Sequence, residues 1–156
     1  MVHNPMLHRD ERKILRELQR DCTQSARDLA EKLNLSPSTV WRRMKEMEEA
    51  GIISGRVALA DPKKLGLDVC LLIHVNIASQ TSGSREAFEV FVNSHESILQ
   101  CYAVTGGYDY ILVVRLATVD AFEDFLMNEV LAHPSVANTR TQLVLQQMKN
   151  STALPV

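Results

Sequence analysis

Three cysteines, no long hydrophobic run and almost no net charge set the first limits on this chain of 156 residues. Cys22, Cys70 and Cys101 are an odd number at long spacing, without a Cys-x-x-Cys pair, which argues against a disulfide framework, a zinc site or a redox dithiol. Cys70 and Cys101 are expected as buried small hydrophobes, whereas the setting of Cys22 stays open. No apolar stretch approaches the ~18 residues of a membrane span. His3, His8 and Arg9 open the chain without an apolar signal segment behind them. A soluble, cytoplasmic protein with no membrane partner is the expectation. Hydrophobic residues at 46% and charged residues at 23% are globular values, and the length allows one ordinary domain or two small ones.

The net charge of −2 conceals a polarity. Residues 1–60 carry 11 Lys+Arg against 9 Asp+Glu, a net of +2, while residues 61–156 carry 6 against 10, a net of −4. The first half is compatible with nucleic acid, although a surplus this small decides nothing without position.

Position is informative. Leu7, Ile14, Leu15 and Leu18 fall at helical spacing with Arg and Glu on the outer face, predicting a first helix over 7–18. Ser25 offers an N-cap for a second helix carrying Ala26, Leu29, Ala30 and Leu33. Asn34 suits the left-handed backbone that ends it, Ser36 caps a third helix, and Pro37 stands in its first turn, where a missing N–H costs nothing. That helix, with Val40, Met44 and Met47 inward, runs to about Ala50, and Gly51 stops it. The β-branched residues around Ser54-Gly55 in segment 52–59 predict a short hairpin, a wing beside the helix-turn-helix. Segment 61–67, with Pro62 and Gly66, reads as a linker, so the winged domain is placed at 1–60.

Beyond the linker the period changes to that of strands. Leu71, Ile73, Val75 and Ile77 alternate with Cys70, Leu72, His74 and Asn76. A helix with Phe88, Phe91 and Val92, strands over 98–104 and 110–116, a helix capped by Thr118 or Asp120 and stopped by His133-Pro134, and a strand over 136–145 follow. The order β-α-β-β-α-β predicts an α+β architecture with a split, ferredoxin-like second domain over 68–148 and a tail over 149–156. A weak internal repeat supports the register, laying His95-Glu96-Ser97-Ile98 on His133-Pro134-Ser135-Val136. Two helices cover one sheet face only, and the nearly continuous apolar strand 110–116 predicts that a second copy covers the other.

Enzyme chemistry finds no footing. No nucleophile-base pair, paired carboxylates or metal-ligand spacing stands out, so neither catalysis nor a bound metal or cofactor is expected. His74 reads as an interface residue, and Gly106-Gly107 lacks the lysine and flanking glycines of a phosphate loop. The run from Leu35 to Lys45 is different: it holds three cations and no acid. At 100° per residue Ser38, Arg42 and Lys45 share one outer flank, with Thr39 and Arg43 beside it. Short hydroxyls approach phosphates and base edges, and arginines donate bidentately to guanine or clamp phosphate. Double-stranded DNA is the expected partner, with Ser25, Ser36, Ser38, Thr39, Trp41, Arg42, Arg43, Lys45 and, on the wing, Arg56 as the candidate contacts. Trp41 has two readings, packing beneath the first helix or facing the DNA backbone.

These residues carry a resemblance that spans essentially the whole chain. Arg12-Lys13-Ile14-Leu15, Leu35-Ser36-Pro37-Ser38 with Arg42-Arg43, Glu48-Glu49-Ala50-Gly51-Ile52-Ile53, Asp61-Pro62-Lys63-Lys64-Leu65-Gly66-Leu67, Val104-Thr105-Gly106-Gly107-Tyr108-Asp109-Tyr110 and Thr139-Arg140-Thr141 occur in this order. Together they resemble the Lrp/AsnC, or feast/famine, family of transcription regulators. The resemblance implies dimers assembling to an octamer or another closed form, with a free amino-acid effector between dimers. It assigns Thr105, Gly106, Gly107, Tyr108 and Asp109, with Thr139 and Thr141 from a neighbouring dimer, to that effector. Gly107 departs from the family pattern, which often has Asp or Glu there, so ligand charge preference does not transfer. The tail and Asp21-Cys22-Thr23 resemble a subgroup that controls amino-acid breakdown. Two rivals stand beside amino-acid sensing: an effector-independent architectural regulator, and a thiol redox sensor acting through Cys22.

Overall fold

The structure, a computed structural model, describes residues 7–156; His3 lies outside them. The chain packs as two units, one comprising residues up to Leu59 together with Lys149–Val156, the other Ala60–Met148.

The first unit holds α1 (Arg9–Arg20), α2 (Ala26–Leu33) and α3 (Pro37–Glu49). The first helix starts two residues later than its apolar pattern suggests because His8 caps it: the imidazole accepts from Asp10 N–H while Glu11 reaches back to His8 N–H at 2.7 Å. Ser25 and Asp28 form the equivalent reciprocal pair before α2, and bonds from Ser25 hold the Asp28 carboxyl below its ordinary range. Asn34 ends α2 in the left-handed region at φ 56°, and Ser36 caps α3 through Thr39 N–H at 3.1 Å. Ile14, Leu29, Val40 and Met47 form a closed core, with Leu18 and Ala30 beside them.

Glu17 is enclosed with them yet charged. It takes Lys32 and Arg20, and the Lys32 hydrogen bond is the largest cause that lowers its carboxyl below the usual range. The expected hairpin is absent: residues 54–60 form no strand and no ladder. Gly55 has no positive φ, so the two-residue turn that would fold strand onto strand is not made.

The second unit is an antiparallel sheet in the order β2-β3-β1-β4 with helices on one face. β1 (Val69–Ile77) is central, pairing with β3 (Tyr110–Leu116) and β4 (Val136–Leu143), while β2 (Ile98–Ala103) lies outside β3. Leu71, Ile73 and Val75 are fully buried, as the alternation predicts, against Phe88 of α4 (Ser82–Ser94) and Val130. On the opposite face Cys70, Leu72, His74 and Asn76 are only half-buried. Cys101 is half-buried too, so neither cysteine is the fully enclosed hydrophobe expected; burial, and secondarily the charge of Glu89, still pushes the Cys101 thiol up.

The last helix departs from its expected form. α5 (Val119–Asp124), capped by Thr118, continues as a π-helical turn over Phe125–Val130, closed by Leu131 N–H to Leu126 O at 2.9 Å. Phe125 and Val130 are both buried although five positions apart. An α-helix separates such positions by about 140°, and the wider turn returns both to the core.

His133 follows that turn and packs among Phe88 and Phe91, accepting Ser135 N–H at Nδ1. Burial, with His95 as the second cause, lowers its pKa below the ordinary 6.5. Charging it is therefore disfavoured in the folded state, so as pH falls below about 6.5 the unfolded chain binds the proton first and stability declines until the folded imidazole also titrates. Urea denaturation at pH 7.5 and pH 5.5 is expected to show this loss, and His133→Gln to diminish it; an equal loss in the variant counts against the assignment.

Candidate functional site

Two surfaces meet the requirements of a site, one in each unit. On α3 the hydroxyls lie at the start: Ser38 is exposed, Thr39 half-buried, and Ser36 Oγ sits 2.7 Å from Thr39 Oγ1 and 3.1 Å from Ser38 Oγ. One turn further, Trp41 is 60% exposed, which excludes the reading that packs it beneath α1. Lys45 Nζ lies 5.4 Å from its ring centroid. Ser25 is spent on capping α2.

Each exposed cation of this surface is paired with a glutamate just beyond the run from Leu35 to Lys45. Arg42 pairs with Glu46 at 2.7 Å, Lys45 with Glu49 at 3.6 Å and Arg56 with Glu48 at 2.5 Å. Bonds from Arg42 are the first cause that lowers the Glu46 carboxyl. These pairs are solvent-exposed and contribute little, about 0–1 kcal/mol each, so a phosphate can replace the carboxylate. Arg43 is different. Its guanidinium, 25% exposed, bonds Glu11 of α1 at 2.9 Å as well as Glu46, so it fastens α3 to α1. Glu11, which also closes the α1 cap, is a residue the sequence reading missed; its only signal is a capping position three residues after His8.

In the second unit the loop between β2 and β3 forms the other surface. Gly106 adopts φ +123°, a conformation that side-chain-bearing residues rarely take. Thr105, Gly106 and Gly107 are exposed, and among the described residues the main-chain N–H groups of 105–108 donate to no protein acceptor. Consecutive free amides of this kind are where an anion binds. Tyr108 is half-buried with its ring 4.9 Å from that of His74.

Asp109 anchors the loop. Its carboxylate accepts Ile77 N–H at 2.9 Å and Gln80 Nε2 at 2.9 Å, and its own N–H donates to Val75 O at 3.0 Å. Asn76, absent from the sequence-predicted set, links both sides: Nδ2 donates to Gly107 O at 3.3 Å and to Asn138 Oδ1 at 3.2 Å, and Oδ1 accepts Asp109 N–H. Its only sequence signal is a polar residue on the alternating face of β1. Thr139 and Thr141 pair in register with Val75 and Ile73, which places them on the helix-covered face, and Thr141 Oγ1 is buried without a partner. Asn76→Ala removes three hydrogen bonds and is expected to cost about 1–3 kcal/mol in urea unfolding, with faster exchange of the Asp109 amide; an unchanged exchange rate contradicts the anchoring role.

The comparisons agree with this division of labour. Residues 11–54 match the winged helix-turn-helix DNA-binding family, and residues 70–154 match the Lrp/AsnC ligand binding domain. The DNA-binding transcriptional activator DecR of Escherichia coli is 32% identical over 97% of this chain and 99% of its own. The leucine-responsive regulatory protein of Escherichia coli is 35% identical over 96% of this chain and 92% of its own. A Neisseria meningitidis transcriptional regulator solved in complex with L-Met superposes with a TM-score of 0.92 at 34% identity, covering 96% of both chains. The likeness runs along nearly the full length of both units, and the chain belongs to the Lrp/AsnC family of DNA-binding transcriptional regulators.

Proposed function

We propose that this chain regulates transcription of amino-acid metabolism genes by binding operator DNA through α3, with affinity or assembly set by a free amino acid held at the Gly106-Gly107 loop between dimers. The observation that carries the effector reading is the row of unpaired amides over 105–108, which suits an amino-acid carboxylate. The L-Met complex of the Neisseria meningitidis relative supports the ligand class. Asp109, whose oxygens already hold the end of β1, positions this loop and reaches the ammonium group only through its remaining lone pairs. Thr139 and Thr141 lie one strand away, paired with β1. Thr105 and Tyr108 flank the glycines.

On DNA, Ser38 and Thr39 approach bases or phosphates near the helix start, and Ser36 orients them through its cap. Arg42, Lys45 and Arg56 exchange their glutamates for phosphates, Trp41 lies against the backbone, and Arg43 holds the helix at its angle. The half-buried sheet face of Cys70, Leu72, His74 and Val113 is the surface on which a second copy stacks. Paired or higher assemblies then present several recognition helices to one duplex, which raises effective concentration. The effector acts by differential affinity for two arrangements, since equal binding to both shifts nothing.

Two measurements test these roles. Arg42→Ala and Lys45→Ala are expected each to lower the slope of log affinity against log salt by about 1 without loss of thermal stability, whereas Arg43→Ala lowers stability as well; an unchanged slope in both of the first two removes the phosphate assignment. A thermal-shift screen against the twenty amino acids is expected to find one that raises Tm, since a ligand at a hundred times its Kd contributes about 2.7 kcal/mol. Asp109→Ala should abolish that shift. A screen without a stabilising amino acid removes the effector reading and leaves DNA binding standing.

A further inference from the structure

The segment Lys149–Val156 belongs to the unit built on α1, α2 and α3. There it makes three bonds to α1. Gln19 grips Leu154 reciprocally, its Oε1 accepting Leu154 N–H at 2.6 Å and its Nε2 donating to Leu154 O at 3.1 Å. Arg16 Nε donates to Val156 O at 2.5 Å. A side-chain amide that satisfies both main-chain groups of one residue imitates the pairing of a β-strand, and it fixes the register of the segment on the helix.

Leu154 and Thr152 border a cleft of about 390 Å³ between α1 and the extended segment 52–59, with Leu15, Leu18, Ile53 and Val57 on its walls. Leu154 itself is 71% exposed, so the grip rests on main-chain hydrogen bonds rather than on buried apolar area. Each such bond contributes only modestly, because it replaces bonds to water. A hold of three is strong enough to populate and weak enough to release.

We propose that Lys149–Val156 is a strap: it docks on α1 through Gln19 and Arg16 and gives the polypeptide a second connection between its DNA-binding and sensor units, beside the one that follows Leu59. With one connection each DNA-binding unit is a tethered body, and ordering several of them on one duplex carries an entropic cost. A second, docked connection removes part of that freedom before DNA arrives, which strengthens binding without any new contact to DNA. Five residues separate the strap from the end of β4 at Leu143, so the chain between them is short. This inference goes beyond the amino-acid effector reading and does not depend on it.

The test uses the full-length protein and two variants that break the grip from opposite sides. Gln19→Ala removes both bonds to Leu154, and Leu154→Pro removes the N–H donor from outside α1. Hydrogen exchange resolved to Leu154 is expected to show protection of at least tenfold in the unaltered protein and none in Gln19→Ala. Affinity for a duplex selected from a random pool by the unaltered protein is expected to weaken by about fivefold or more in both variants, the lower end of ordinary coupling between sites. An unprotected Leu154 amide overturns the docking. Protection with unchanged affinity in both variants overturns the coupling, and tighter binding in both makes the segment an inhibitor instead of a strap. Failure of the amino-acid screen leaves all of these readouts intact.

Discussion

The antiparallel pairing of β1 with β3 on one edge and β4 on the other is the constraint on which the second unit depends. It places Leu71, Ile73 and Val75 in a closed core beneath Phe88 and Val130. Because side chains alternate across a strand, the same pairing puts Cys70, Leu72, His74 and Asn76 on the far side. The end of β1 is also where the glycine loop is tied down, through the Ile77 amide on Asp109 and the Asn76 amide on Gly107. Core, half-buried opposite face and candidate ligand loop are therefore three consequences of one strand. A shift of register by one residue would exchange its two faces and detach the loop.

In the first unit the organising interaction is electrostatic and lies at the helix contacts. Glu17, enclosed beside the core, holds Lys32 of α2 and Arg20 of its own helix, and Arg43 of α3 reaches Glu11 of α1. These bonds connect all three helices around the apolar cluster of Ile14, Leu29, Val40 and Met47. They also divide the cations of α3 by role. An arginine shared by two carboxylates and largely covered is a fastening, whereas exposed pairs such as Arg42 with Glu46 are easily exchanged. The distinction between a cation that holds α3 in place and one left at its surface is set by burial and partner, since residue type and position along the helix are nearly the same.

Most of the architecture was legible because it is written in local chemistry. The caps Ser25, Ser36 and Thr118, the left-handed Asn34, the stop at Gly51 and the alternation along 69–77 act over a few residues, and each appears where the pattern places it. The errors occur where a partner distant in sequence decides. The ribbon expected around Ser54-Gly55 needed a glycine in a turn conformation that the fold does not impose. The widened turn at Phe125–Val130 answers a demand of the core, and the helix's nearest-neighbour preferences contain no trace of it. Trp41 is exposed, and the buried positions of α3 are Val40 and Met47.

The sequence by itself determined the order of the main helices and strands, their apolar faces and the motifs that carry the family resemblance. All of these follow from periodicity, capping and backbone preference, which act within one or two turns of chain. Only the tertiary structure decided that Arg43 fastens α3 to α1, how Asn76 and Asp109 suspend the glycine loop from β1, and that the segment after Met148 grips α1 through Gln19. Those outcomes depend on pairs separated by 29 to 135 positions. Hydrogen bonds and ion pairs need a partner within about 3 Å, and for residues this far apart that distance is set by the packing of the whole unit.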